Sequence, residues 1–92
     1  RSLLSIILKP SAQGRGYGSD SLNTLLQFAF GELNLHKVSL MVYESNIGGQ
    51  KLYEKIGFRF EGVLRQEVYR QGHYENQLAY SILEREFGGR HV

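Results

Sequence analysis

Residues 13–18 read Gln13-Gly14-Arg15-Gly16-Tyr17-Gly18, with glycine at every second position. Such a loop leaves several backbone N–H groups without partners of their own, and its glycines let a bulky anion come close to the main chain. A helix that begins directly after it would aim further N–H groups and a positive dipole end at the same point, so phosphate is the natural guest. The plain structural alternative is a flexible connection. Two nucleotide fingerprints are excluded: the stretch lacks the Gly-Lys-Ser/Thr ending of a Walker loop, and Gly14-x-Gly16-x-Gly18 is not the Gly-x-Gly-x-x-Gly dinucleotide pattern.

Other chemistries are closed off by what the chain lacks. With no cysteine among 92 residues it has no disulfide, thiolate nucleophile or thiolate metal site, a composition that fits a reducing cytoplasm. His36, His73 and His91 have no metal-ligand spacing with another His, Asp or Glu, so no metal is expected. Lys and Arg total 11 against 9 Asp and Glu, a net charge of +2 without a run of four basic residues, which argues against a nucleic-acid partner. The longest apolar runs, Leu3–Leu4 and Ile6–Leu8, fall far short of the ~20 residues of a membrane helix, and the amino end has no signal-peptide pattern. The length allows one domain, and 41% hydrophobic against 22% charged residues makes it globular. Arg1, with no Met, leads straight into a strand-like segment, which reads as the carboxyl part of something longer.

The elements that must position the loop follow from hydrophobic period. Leu3 to Leu8 is an apolar run broken only by Ser5 and stopped by Lys9 and Pro10, the pattern of a strand buried on both faces. From Ser19, a plausible N-cap, the residues Leu22, Leu25, Leu26, Ala29 and Leu33 form one stripe of an amphipathic helix. Asp20 in its first turn and Lys37 just past its last suit the dipole, and His36 is expected to cap the helix end. Val38, Leu40 and Val42 alternate with Ser39, Met41 and Tyr43 as a second strand, so strand, helix, strand implies a parallel pair. A second helix runs from Asn46 as N-cap to Gly57 as C-cap and buries Leu52, Tyr53 and Ile56, with Gly48 and Gly49 weakening its first turns. Phe58 to Tyr69 and Tyr74 to Leu83 read as two strands joined around Gln71 and Gly72. The expected fold class is α/β, in the order β-α-β-α-β-β, with a mixed sheet that holds one parallel pair and ends in an antiparallel hairpin.

Two separated motifs carry a resemblance. Gln13, Gly16 and Gly18 match the Gln/Arg-x-x-Gly-x-Gly/Ala loop of the GNAT family of N-acetyltransferases, and Asn46 followed by Leu52-Tyr53-Glu54-Lys55-Ile56-Gly57-Phe58 resembles its second signature. Glu61-Gly62-x-Leu64-Arg65 and Gly72-His73-Tyr74 are similar to the branch that contains ribosomal-protein N-terminal and spermidine acetyltransferases. The similarity covers Leu3 to Glu86 but only the carboxyl half of the family domain. It implies that the pyrophosphate of acetyl-CoA sits on the main chain of Gln13, Gly14, Arg15, Gly16, Tyr17 and Gly18. It further implies that the pantetheine arm pairs with the backbone of Ile6, Ile7 and Leu8, that Asn46 hydrogen-bonds this arm, and that Lys55 adds charge near a phosphate. The alternatives for these residues are a buried strand, a helix cap and a solvated lysine.

Tyr53 matches the family tyrosine that protonates the departing CoA sulfur. A thiol of pKa about 8.5 facing a phenol of about 10 makes that transfer uphill by only ~2 kcal/mol, and the alternative is a core aromatic on an amphipathic helix. The acceptor amine must lose a proton, and Glu44 is the local carboxylate candidate, although carboxylates at strand ends are usually just solvated. Gly49 stands where the family usually has Ala, and Asn76 where this branch commonly has Asp. The family's amino-terminal strands and helices, which build most of the acceptor pocket, are absent from these residues. Left uncovered, the first strand is an edge through which a second copy would pair, making a homo-oligomer. The resemblance therefore implies an acetyl-CoA-dependent N-acetyltransferase acting on a primary amine, a protein amino terminus or a polyamine first among them. A non-catalytic CoA-binding or assembly fragment and a nucleotide-binding module are the competing classes.

Overall fold

The computed structural model describes residues 5–8 and 18–89. In chain order these form β1 (Ser5–Leu8), α1 (Ser19–Gly31), β2 (Lys37–Tyr43), α2 (Ile47–Ile56), β3 (Arg59–Arg70), β4 (His73–Leu83) and α3 (Glu84–Gly89). One mixed sheet holds the strands in the order β1-β2-β4-β3. β1 and β2 are parallel, with Ile6 opposite Val38 and Leu8 opposite Leu40. β4 then inserts antiparallel between β2 and β3. Leu3 and Leu4, expected in the first strand, lie outside the described residues.

The core rests on one face of this sheet. Val38, Leu40 and Val42 of β2 are buried in strict alternation, opposite Ile82, Tyr80 and Leu78 of β4. They form a single cluster with Leu22, Leu26, Ala29 and Phe30 of α1 and Tyr53 and Ile56 of α2. Each fully buried Leu or Val of this kind contributes about 1.5–3 kcal/mol, which is why the period of two on β2 coincides with the helical stripes that cover it.

Several boundaries differ from the sequence expectations, each for a local reason. β1 is not buried on both faces: Ile6 and Leu8 pack on the core while Ser5 and Ile7 are exposed, because among the described residues only one face of the strand is covered. α1 is capped by Gly18, not Ser19, and it stops at Gly31. Glu32 and Leu33 both donate to the Phe28 carbonyl and Asn34 turns left-handed at φ 56°, so Leu33 points outward and Leu35 is buried in its place. Lys37 is the first residue of β2 and pairs with Glu61 at 3.4 Å. His36 does not cap α1; its carbonyl accepts from Glu84 N at 3.0 Å. α3 was not expected. Glu86 reaches back to Leu83 N at 2.9 Å, half of a capping box, and Phe87 packs on Phe30 with ring centroids 5.6 Å apart.

Both connections that flank the later strands follow from residue type. Gly57 adopts φ 123°, and Gly57 and Phe58 donate to the Tyr53 carbonyl to end α2. Gln71 and Gly72, at φ 52° and 86°, make the tight left-handed turn between β3 and β4.

Candidate active site

The first component comprises β1 and the start of α1. Ile6 and Leu8 face the core and Ile7 faces out at 58% exposure. The described ladder with β2 stops at Leu8 opposite Leu40, while β2 runs on through Met41, Val42 and Tyr43 against β4. Gln13, Gly14, Arg15, Gly16 and Tyr17 lie outside the described residues. Gly18 is inside them and is extended at φ −75° and ψ 169°, a conformation open to any residue, with space around it for a Cβ. Its carbonyl accepts from Leu22 N, and among the described residues no side-chain cap bond closes this end of α1. Glycine therefore stands at the one position where a Ser or Asp would satisfy the first-turn N–H groups. Among the described residues that end is left to an outside acceptor.

α2 is the second component. Asn46 Oδ1 accepts from Gly49 N at 2.9 Å, which is the N-cap bond its type predicts. Gly49 is explained by the same contact: a Cβ there would lie 2.8 Å from Asn46 Nδ2, so an Ala would push the carboxamide out of its capping position. Gln50 Nε2 donates to the Glu44 carbonyl at 2.8 Å and ties this end of the helix to the end of β2. Tyr53 is 1% exposed, with its ring 6.0 Å from Phe58 and 6.4 Å from Tyr80. Lys55 stands exposed in the last turn, where its charge suits the carbonyl end of the helix. Seven residues separate Asn46 from Tyr53, so they share a face about 10 Å apart, whereas Asn46 and Lys55 sit at opposite ends.

The third component was mostly missed by sequence reasoning. An open cleft of about 570 Å³ is lined by Glu44, Ser45, Gln66, Gln71, His73, Tyr74, Glu75 and Asn76. It lies beyond the last β2–β4 pair, Tyr43 opposite Gln77, where the β3–β4 hairpin continues as an arm. Asn76 organises it. Its Oδ1 accepts from Gln66 N at 2.7 Å and its Nδ2 donates to Glu44 Oε1 at 3.3 Å. Gln66, at φ 49°, sits in the register shift between Leu64 and Val68. Glu75 Oε2 accepts from Ser45 N at 2.9 Å. An Asp at 76 would still accept from Gln66 but would set a second carboxylate against Glu44, so Asn is the residue type this contact requires. Nothing local in the sequence signals a left-handed Gln, and the one available clue was Asn76 itself.

Two groups, Glu61 and Tyr80, have clearly shifted pKa values. The Ser81 hydroxyl, at 2.6 Å, holds the Glu61 carboxyl below its usual range, with Lys37 adding to the effect against partial burial. Burial pushes the Tyr80 phenol up, and its bond to Glu54 pushes the same way. No group of three or more His, Asp or Glu converges as a metal site among the described residues, and no described helix is long and apolar enough to cross a membrane.

This arrangement of a parallel strand pair, an open-ended helix and a capped second helix coincides with the Acetyltransferase (GNAT) domain, whose family model matches residues 3–59. The chain belongs to that family. It is 31% identical to spermidine N(1)-acetyltransferase of Escherichia coli (strain K12) over 91 residues, which are 99% of this chain and 49% of the relative. The corresponding Vibrio cholerae enzyme is 36% identical over 85 residues, 92% of this chain and 49% of the relative. A dodecameric structure of spermidine N-acetyltransferase from Vibrio cholerae superposes with a TM-score of 0.79 at 32% identity, covering 94% of this chain and 54% of that one. The chain spans about half the length of the relatives it matches.

Proposed function

We propose that this chain is the acetyl-CoA-binding half of an N-acetyltransferase, which transfers acetyl from acetyl-CoA to a primary amine by direct attack. The observation that carries the reading is the start of α1, where Gly18 replaces a capping side chain directly after the glycine-rich residues 13–17. Main-chain N–H groups and the helix dipole there suit the pyrophosphate of the cofactor. In this reading the pantetheine arm runs along Ile6, Ile7 and Leu8 and reaches Asn46, and Lys55 contributes charge. Asn46 Oδ1 is engaged by Gly49 N, so its amide donors are the atoms offered to the arm.

The chemistry is an exchange of one bond. The amine nitrogen attacks the thioester carbonyl, the C–N bond forms, the C–S bond breaks with its electron pair on sulfur, and Tyr53 supplies the proton that sulfur takes up. The proton lost by the amine goes to a base, for which Glu44, held by Asn76 at the cleft, is the placed candidate. The names of the relatives support a polyamine over a protein amino terminus as acceptor, and the cleft adds support by bringing Glu44 and Glu75 into one lining. Self-association belongs to the same reading, since one relative is dodecameric and β1 leaves Ile7 exposed on an edge strand.

Isothermal titration with acetyl-CoA, against ATP as control, tests the cofactor half. Saturable binding that prefers acetyl-CoA is expected, and equal or stronger binding of ATP would replace the reading with a nucleotide module. Turnover is then measured in the intact domain by release of free CoA thiol. Tyr53→Phe should lower kcat by about 10²–10⁴-fold with acetyl-CoA affinity kept, and unchanged turnover removes Tyr53 from the mechanism.

A further inference from the structure

In the sequence Tyr80 is one more inward residue of an alternating strand. In the structure it is 2% exposed, its ring lies 6.4 Å from Tyr53 at an interplanar angle of 58°, and its hydroxyl donates to Glu54 Oε2 at 3.1 Å. Tyr53 and Glu54 are consecutive on α2. One side chain of β4 therefore holds the helix at two adjacent residues, by ring packing at the first and by a directional hydrogen bond at the second. Phe58 also packs against the Tyr53 ring, 6.0 Å away at 60°. Phe60 in turn backs Tyr80 at 5.7 Å. A buried phenol requires a partner for its O–H, and Glu54 at the exposed rim of the helix is the one it has.

We propose that Tyr80 is a positioning residue for Tyr53, setting the azimuth and height of α2 over the sheet so that the Tyr53 hydroxyl is delivered to the departing sulfur. The inference rests on the reading of Tyr53 as the proton donor. Tyr80 itself gives up no proton; burial and Glu54 keep it a donor to the carboxylate across the neutral range. A displacement of about 1 Å at a reacting group can cost up to about a hundredfold in rate, so a tether that fixes the helix at the residue beside the acid is worth kinetic effect without touching substrate.

The test compares Tyr53→Phe, Tyr80→Leu, Tyr80→Phe and Glu54→Ala in the intact domain, recording kcat, KM for acetyl-CoA and Tm for each. Tyr80→Leu removes the wall of the Tyr53 wedge and should lower kcat about 10- to 100-fold with KM for acetyl-CoA within about twofold. Tyr80→Phe keeps the ring and should fold. It and Glu54→Ala should each lower kcat about threefold, and the double variant no further, because both cut the same link. Unchanged kcat in the Tyr80 variants, with only Tm reduced while Tyr53→Phe is inactive, makes Tyr80 a packing residue and overturns the proposal. If Tyr80→Leu does not fold, Tyr80→Phe and Glu54→Ala decide it alone, and their full activity overturns it. Full activity of Tyr53→Phe instead sinks the reading of Tyr53.

Discussion

Helix α2 and the arm of the β3–β4 hairpin both bring polar side chains to the carboxyl end of β2, by different means. The two ends of α2 are closed by partners within five residues: Asn46 accepts from Gly49, and Gly57 and Phe58 donate to Tyr53. The arm is fastened by bonds between residues far apart in sequence. Asn76 reaches Glu44 across 32 positions, Glu75 reaches Ser45 across 30, and Asn76 also holds Gln66. A helix boundary is thus a local device that one residue can start or stop. The arm's cleft exists only when three segments are already in register, so removing one side chain there should disturb more than removing a cap.

The largest effect is expected at Asn76. Asn76→Ala removes both its bond to Gln66 N and its bond to Glu44; these are exposed and the freed groups turn to water, so the two losses together should cost about 1–2 kcal/mol in denaturant unfolding. Asn76→Asp sharpens the point: it restores the acceptor for Gln66 but opposes Glu44, so its deficit should be present at neutral pH and shrink on acidification as one carboxylate takes up a proton. A deficit that does not change with pH would mean that Glu44 is not held as the geometry indicates.

Asn46→Ala should cost about 1 kcal/mol, the usual worth of an N-cap. Gly49→Ala is predicted to be coupled to it. In the native chain the helix-propensity gain of about 1 kcal/mol is opposed because Asn46 Nδ2 must move away from a Cβ 2.8 Å distant. In the Asn46→Ala background that obstacle is gone, and Gly49→Ala should stabilise. Additive values in a double-mutant cycle would contradict the close contact.

The smallest effect is expected on the opposite face, where Ser81 donates to Glu61. Glu61 has its folded-state carboxyl held below the ordinary value of 4.5, so its contribution is present above that value and is lost as pH falls through the lowered one. Ser81→Ala should therefore cost no more than about 0.5 kcal/mol at neutral pH, because the pair is partly solvated, and nothing measurable once Glu61 is protonated. A larger penalty in acid than at neutrality would mean that Ser81 favours the protonated Glu61 carboxyl over the ionised one.

The order of elements from β1 to β4, the parallel first pair and the hairpin of β3 and β4 were legible in the sequence because each depends on a hydrophobic period or on a glycine within a few residues, whereas α3 was not. Asn46 as a cap, Gly57 as a stop and Gln71-Gly72 as a turn were legible for the same reason. Less was legible of the site. Tyr53 and Asn46 were singled out by motif, and their surroundings were not. The burial of Tyr53 between Phe58 and Tyr80, the bond from Tyr80 to Glu54, and the joining of Glu44 with Glu75 in one cleft carry no local signature. The misplaced cap of α1 shows the limit within a single turn: Ser19 and Gly18 are both acceptable there, and the choice depends on how the preceding chain enters the helix.

What the sequence by itself determined are the features set by neighbours along the chain: period two on β2, the inward faces of α1 and α2, and the residue types that tolerate left-handed backbone at Gly57 and Gly72. What only the tertiary structure decided are the features set by neighbours across the sheet. Once β4 inserts between β2 and β3, Tyr80 comes to lie under Tyr53 and Asn76 beside Glu44. A one-residue change of register would turn each of those side chains to the other face, and nothing within a few residues of Tyr80 or Asn76 records which register the three strands adopt.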